Sequence, residues 1–502
     1  MNNLYRITES YILNRTLAKV LFIIVTMLIS IPYIGSRTNF LIIAIIAYGF
    51  LVLGYELITG KLLRILRSTK TTMLLIGFIF SYIITVLINK THYLSGFKSI
   101  GFMLLLFTLF FLFPDDITKK DIIKEIKIVS ATVVSLTFVF SFISFILYVF
   151  NISGTYTTNN GSYEAYYGLF DSRLWGLYNP NTGATYTIIS IVLSLAFVFA
   201  YKKKRIRIPV LFNIFMQFSV LLLTGSRAGL YTLAGATAFY AFFAVIYKCK
   251  KFNIKVALIS VGSAALSLIL FFTGGFWLKE GLAYVPSITN YVTTITTAPE
   301  EEYLDPNDPN FDPEYPYGEN ELPEINKIDL NRQDVSNSPE NSFFANRLSI
   351  WEASFKEFLK QPILGVGRNN IVERATEDLG NEGWIYFFKH GNTHNIYLCV
   401  LVSSGIIGFL LMGSFAGIVV LRSIKTLSKT FKKVNIWFLT SFVICMMLFA
   451  NEFVESRILY KISAFGVIFW IYCGYLYKLS KFERIESNAM NSDENVSLES
   501  EN

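Results

Sequence analysis

The sequence predicts an all-α integral membrane protein with about 12 transmembrane helices, and three observations carry that prediction. Of its 502 residues, 53% are hydrophobic and only 16% are charged, whereas a soluble domain carries about 25% charged residues. The apolar residues gather into long runs, and 100–113 and 192–199 hold no charge at all. The connections between runs alternate between strongly basic and poor in Lys and Arg. A hydrocarbon layer about 30 Å thick needs roughly 20 residues per helix. Backbone groups inside it find no water, so each run must close its own hydrogen bonds as a helix.

The spans read as 17–34, 39–56, 71–89, 99–114, 128–150, 183–201, 208–224, 227–247, 256–274, 395–421, 434–451 and 458–477. The first lacks a small-residue cleavage site and is followed directly by others, so it reads as a retained helix. Basic connections at Lys61–Lys70, Lys119–Lys127, Lys202–Arg207, Lys248–Lys255 and Arg422–Lys433 fall on one side. The positive-inside rule makes that side cytoplasmic and puts both termini there. The net charge of +8 sits in these connections, so it points to no nucleic acid. The four cysteines, Cys249, Cys399, Cys445 and Cys473, are scattered. That spacing argues against a disulfide framework or a cysteine metal site.

The chain divides accordingly into spans one to nine (1–274), one large extracytoplasmic segment (275–394), spans ten to twelve (395–478) and a polar cytoplasmic tail (479–502) expected to be disordered. Within the large segment, 299–340 is rich in Pro, Asn, Asp and Glu and reads as a solvated acidic insertion. Its run 305–312 faintly resembles a calcium loop but lacks the glycine for the sharp turn. Residues 347–359 read as an amphipathic helix, with Leu348, Trp351, Phe355, Phe358 and Leu359 on one face.

Three outward helix starts carry unusual polar sequence, and a helix N-terminus suits a phosphate. Arg173 to Asn181 precedes span six, where Asn179 or Asn181 can cap and Arg173 can line a polar site. Thr224-Gly-Ser-Arg-Ala-Gly229 precedes span eight and holds Ser226 and Arg227 beside the membrane. His390-Gly-Asn-Thr-His-Asn395 precedes span ten and holds two of the three histidines. His394 can serve as a base near neutral pH, and Asn395 can face the same site. Arg347 stands at the start of the amphipathic helix. Capping and headgroup anchoring account for these residues too. Glu452, Glu455 and Arg457, in the last outward hairpin, read as a solvated turn. No grouping has the ligand spacing of a metal site.

These segments, with Asn346 to Trp351, Pro362 to Gly367, Thr393 to Tyr397 and Ser404 to Gly408, resemble the family of O-antigen ligases and Wzy-type polysaccharide polymerases. The resemblance covers about two-thirds of the chain, from Arg173 to Ser456, and the acidic insertion departs from it. It implies a GT-C-like fold, a donor glycan carried on undecaprenyl diphosphate, no cofactor, and a metal-independent inverting transfer. It also implies the lipid bilayer, a flippase and a chain-length regulator as partners. Arg227 and Arg347 would then face the leaving diphosphate, with Arg173 beside them. His394 would orient or deprotonate the acceptor hydroxyl, and Asn179, Asn181, Ser226 and Asn395 would bind substrate. A composition rich in Lys, Asn and Ile favours a polymerase over an O-antigen ligase, since it suggests a cell without a lipid A core. A 12-helix transporter is the reading from another class. It is disfavoured by the off-centre large segment and by the scarcity of charges expected within spans.

Overall fold

Helix starts in this chain are set by short polar side chains that take up otherwise orphaned backbone N–H groups. Asn14 caps α1 (Arg15–Ile29), and Thr118 with Asp121 forms a reciprocal capping box on α5 (Lys119–Val149). Asn179 caps α6 (Pro180–Ala200), Ser226 caps α8 (Arg227–Lys248), and Asn253 caps α9 (Ile254–Leu282). Asn435 caps α13 (Ile436–Asn451). The remaining helices are α2 (Asn39–Ile58), α3 (Lys70–Asn89), α4 (Tyr93–Leu104), α7 (Lys204–Thr224), α10 (Val285–Thr297), α11 (Ala345–Lys360), α12 (Ile396–Lys429) and α14 (Ala464–Glu499). The computed structural model describes residues 13–66, 70–90, 92–157, 164–249, 253–297, 324–330, 345–374, 393–429 and 435–499.

Among the described residues, nine helices are long and apolar enough to cross a membrane. They are α2, α3, α4 with its continuation, α5 to α8, α9 with α10, and α12. Helices α1, α13 and α14 fall at the positions expected for the first and the last two spans but are shorter or more polar. Large apolar side chains such as Phe40, Met73, Leu258 and Leu270 stand exposed on the outside of the bundle, as in a protein whose solvent is lipid. The chain is therefore an all-α integral membrane protein.

The core is aromatic and built around a π-helix. Helix α4 continues as a π-helical stretch, Leu105–Phe111, in which all seven residues are buried. Phe107, Phe111 and Phe415 surround Trp470 of α14 at centroid distances of 4.6, 6.0 and 5.6 Å. Gly474 lets α14 lie against the π-helix, for a Cβ there would meet the Phe111 carbonyl oxygen at 2.5 Å. The bundle also encloses charge, against the expectation of nearly charge-free spans. Lys19 Nζ donates to Glu125 Oε1 (2.6 Å), Tyr475 donates to the same oxygen, and Thr16 donates to Glu125 Oε2. Arg15 pairs with Glu56 at 2.6 Å. Each group has partners, which is the condition for keeping charge in such surroundings.

A second departure from straight helices lies in α12. Gly405 breaks the helix with φ 62° and ψ −170°. The bonds it interrupts go to the segment after α11: Ile406 and Ile407 donate to the Pro362 and Ile363 carbonyls, while Val366 and Gly367 donate to those of Val402 and Ser403. The two backbones approach so closely that a Cβ on Gly405 would collide with the Ile363 carbonyl, and one on Gly365 (φ 75°) would meet the Gly405 nitrogen at 2.5 Å. Unwound backbone is tolerated at such depth only when protein satisfies it.

In α11, Leu348, Phe355 and Leu359 are exposed beside Glu352 and Lys356, while Ile350, Ala353, Ser354 and Glu357 are buried against α12. Two expectations need correcting. The last helix runs on through Glu499. Its residues Leu479, Ser480 and Glu483 are buried, and Lys119 pairs with Glu483 and Glu486, so the segment after 478 is not uniformly a disordered tail. Its Glu, Lys and Arg residues are good helix formers, and the buried span before it supplies the nucleus. Within the acidic insertion, Ile328 and Leu330 pack against the bundle, while Glu324, Ile325, Asn326, Lys327 and Asp329 are exposed as expected. Leu330 is buried beside Leu282 and Tyr148, and Ile328 N–H donates to the Ala283 carbonyl. The rest of the insertion, 299–323 and 331–340, lies outside the described residues.

Candidate functional site

The polar starts of α6, α8 and α12 meet at one end of the bundle. Before α6, two small hairpins pair β1 (Gly154–Thr157) with β2 (Glu164–Tyr167), and β3 (Leu169–Phe170) with β4 (Arg173–Leu174). The second turns through Asp171 and Ser172, both at positive φ (51° and 54°), as a two-residue hairpin of this kind requires. That turn delivers Arg173 into the bundle. Its Nε donates to the Thr224 carbonyl at the end of α7 (2.8 Å), and its Nη2 donates to Asn181 Oδ1 (3.0 Å). Gly225, at φ 61°, reverses the chain from α7 into α8, and Arg173 packs over it. Arg227 opens α8 at this same end, just after its Ser226 cap.

The hairpin between α13 and α14 completes the arrangement. Glu452 is fully buried and accepts the backbone N–H groups of Arg457 and Ile458 at its Oε2, while its backbone carbonyl accepts the N–H of Ile396 at the start of α12. Arg457 Nε lies 3.6 Å from Glu452 Oε1 and 3.9 Å from Glu455 Oε2, and its guanidinium stacks over Phe465 at 4.2 Å. His394 Nδ1 lies 3.7 Å from the same Glu455 oxygen. His394 itself is held at φ 46°, a conformation that costs a non-glycine residue energy and recurs at functional sites. Trp351 of α11 donates to the Thr393 carbonyl (3.1 Å) and packs edge-on against Phe453, so the helix that carries Arg347 is docked on this hairpin.

Charge is concentrated here. Burial alone would raise Glu455, but Arg457 first, then His394 and Arg347, outweigh it and hold the carboxyl at about 2. Glu455 is therefore a permanent anion shared by three basic side chains. Burial raises its neighbour Glu452, and Arg457 and the backbone donors only partly offset that. The His394 and Glu455 side chains keep 24% and 13% of their exposure, so the pair is sheltered yet reachable.

Thr185 joins the two halves of the site. Its hydroxyl donates to the Asn181 carbonyl (2.9 Å) and accepts from Asn451 Nδ2 (3.2 Å) and Arg457 Nη2 (3.4 Å). A continuous polar path thus runs from Arg173 and Asn181 through Thr185 and Arg457 to Glu455, His394 and Arg347. Asn179, Ser226 and Asn395 each use a side-chain oxygen to cap a helix, accepting from Asn181, Gly229 and Leu398. His390 lies outside the described residues. Among the described residues, no three His, Cys, Asp or Glu side chains gather as a metal ion would require.

The solvated reading of Glu452, Glu455 and Arg457 is wrong: these side chains hold the site together. The signal was the density of charge in Glu452-Phe-Val-Glu-Ser-Arg457, six residues joining two apolar spans. Charge in so short a connection next to the membrane either stays wet or pairs inward, and sequence alone does not separate these outcomes.

Fold and site together define a multi-pass helical membrane protein with an ionised, sheltered site at one end of its bundle. Residues 212–413, from α7 into α12, match the family model described as O-antigen ligase. The match supports the resemblance to the family of O-antigen ligases and Wzy-type polymerases, whose members are membrane enzymes with glycosyltransferase-like ligase or polymerase activity. The match includes Arg227, Arg347 and His394, whereas Arg173 and the hairpin from Glu452 to Arg457 lie beyond it. No curated protein matches the chain.

Proposed function

We propose that this protein is a polysaccharide polymerase that joins oligosaccharide repeat units carried on undecaprenyl diphosphate, at the outer face of the cytoplasmic membrane. The observation that carries the reading is the pairing of His394 with the permanently charged Glu455, with Arg347 and Arg457 at the same carboxylate. A carboxylate on Nδ1 favours the tautomer that leaves Nε2 as an acceptor, and it stabilises the imidazolium once a proton arrives.

In the proposed reaction the acceptor hydroxyl oxygen attacks the anomeric carbon of the lipid-linked glycan. Its proton passes to His394 Nε2. The bond from the anomeric carbon to the diphosphate oxygen breaks, and the electron pair leaves with the lipid diphosphate, inverting the centre. Arg347 and Arg227, with Arg173 beside them, meet the charge that grows on the diphosphate. Guanidinium suits that role because its fork binds two phosphate oxygens at once. Asn181 would contact the donor sugar, while Asn179, Ser226 and Asn395 fix the helix ends around it.

Deleting the gene and analysing surface glycans tests the assignment. Single repeat units without long chains support a polymerase. Long chains stranded on the carrier lipid indicate instead an O-antigen ligase, which uses the same donor. Intact glycans overturn both readings.

A further inference from the structure

Away from this site, α12 and α14 pack together beside the π-helix. A cavity of about 130 Å³ opens there, lined by Arg422, Tyr477, Lys478, Lys481, Asp115 and the chain at 111–113. That is room for more than one water molecule. Arg422 lies 17 positions beyond the break at Gly405, about 25 Å of helix at 1.5 Å per residue, so the cavity is remote from His394.

Its lining is cationic. The Arg422 guanidinium stacks over the Tyr477 ring at 4.5 Å. Its Nε is buried and has no hydrogen-bond partner among the described residues. Lys478 donates to the Pro114 carbonyl (2.7 Å) and lies 3.7 Å from Asp115 Oδ1. Among the described lining residues Asp115 is the only acid, and its side chain is 60% exposed, so the lining sets three cations against one solvated carboxylate. A buried guanidinium N–H costs stability when unmatched. An oxyanion accepting from Arg422 between Lys478 and Lys481 removes that cost, and Arg supplies the planar fork that phosphate fits.

We propose that this cavity is a phosphate site, at the depth where basic pockets between transmembrane helices meet headgroups. The same chemistry comes from two sources, the headgroup of an anionic phospholipid or free phosphate, and the test separates them. The full chain is reconstituted in phosphatidylcholine nanodiscs and titrated with phosphatidylglycerol or with inorganic phosphate, reading the thermal midpoint and the phospholipid retained. A saturable rise with phosphatidylglycerol alone identifies a headgroup, and the same rise with inorganic phosphate identifies the free anion. In either case Arg422→Gln and the surface change Lys481→Gln should weaken the response on the order of tenfold, as loss of a charge-assisted hydrogen bond does. Asp115→Asn should strengthen it by removing the competing carboxylate. Lys425→Gln, on an exposed position of α12 outside the lining, should leave it unchanged. No rise with either ligand overturns the site, and so does an equal loss in Lys425→Gln and Lys481→Gln.

Discussion

Replacing Glu455 with Gln keeps the side-chain volume and removes the charge that faces His394, Arg457 and Arg347. An imidazolium 3.7 Å from this carboxylate is stabilised by about 4.5 kcal/mol at an effective dielectric of about 20. If the acceptor proton is about half transferred in the transition state, about half of that is lost, which slows turnover about 40-fold. Complete transfer raises the loss to about 2,000-fold. The arginines keep their charge, so the loss should fall on kcat while KM for the lipid-linked donor stays level or falls. The assay is chain growth from purified lipid-linked repeat units by protein in lipid discs. A companion measurement uses pH. A carboxyl held at about 2 against an ordinary 4.5 contributes stability that is complete above 4.5 and is lost as the pH falls toward 2. The wild-type melting temperature should therefore drop across that window, and Glu455→Gln should lack this step. Normal chain growth by a well-expressed Glu455→Gln protein would refute the role of the pair. Failure of the variant to accumulate in the membrane would instead make Glu455 a folding residue.

The other predictions concern the arginines, the kinked helix and the topology. Arg347→Ala and Arg227→Ala should each lower turnover by about 10²–10³ at normal protein level, with Lys restoring only part. Equal activity of the Ala and Lys variants would show that the guanidinium fork is not used. Gly405→Ala should reduce the amount of folded protein rather than its specific activity, because its φ of 62° and the Ile363 carbonyl leave no place for a methyl group. A cysteine at Ser336 should react with an impermeant maleimide in intact cells, and labelling only after lysis would reverse the orientation drawn from the basic connections.

The helices were legible in the sequence because an uninterrupted apolar run between basic connections leaves the backbone one solution in lipid. Other features were not. The break at Gly405 depends on partners some 40 positions away, at Pro362 and Ile363, and Gly405 on its own looks like any glycine in an apolar helix. The apolar positions of α11 were legible, but the direction in which they point was not. In a membrane enzyme the outward side also meets apolar surroundings, and the buried side holds Ser354 and Glu357. His394, Arg347 and Arg173 stood out as polar residues at helix starts. Glu455 and Arg457 did not, since a charged hairpin has the same composition whether it is wet or folded inward. Thr185 gave no signal at all, being a threonine inside an apolar span.

That threonine constrains how the protein can change over generations. Both lone pairs of its hydroxyl are occupied and its proton is donated, so the position has a single tolerable replacement, serine, that keeps all three bonds. Valine, nearly the same shape, would strand the Asn451 and Arg457 donors in a buried setting. Substitutions at Asn451, Arg457 and Thr185 should therefore be strongly epistatic, each harmful alone and partly compensated only together. A lineage that alters the glycan it handles is then freer to vary the walls of the site than this junction.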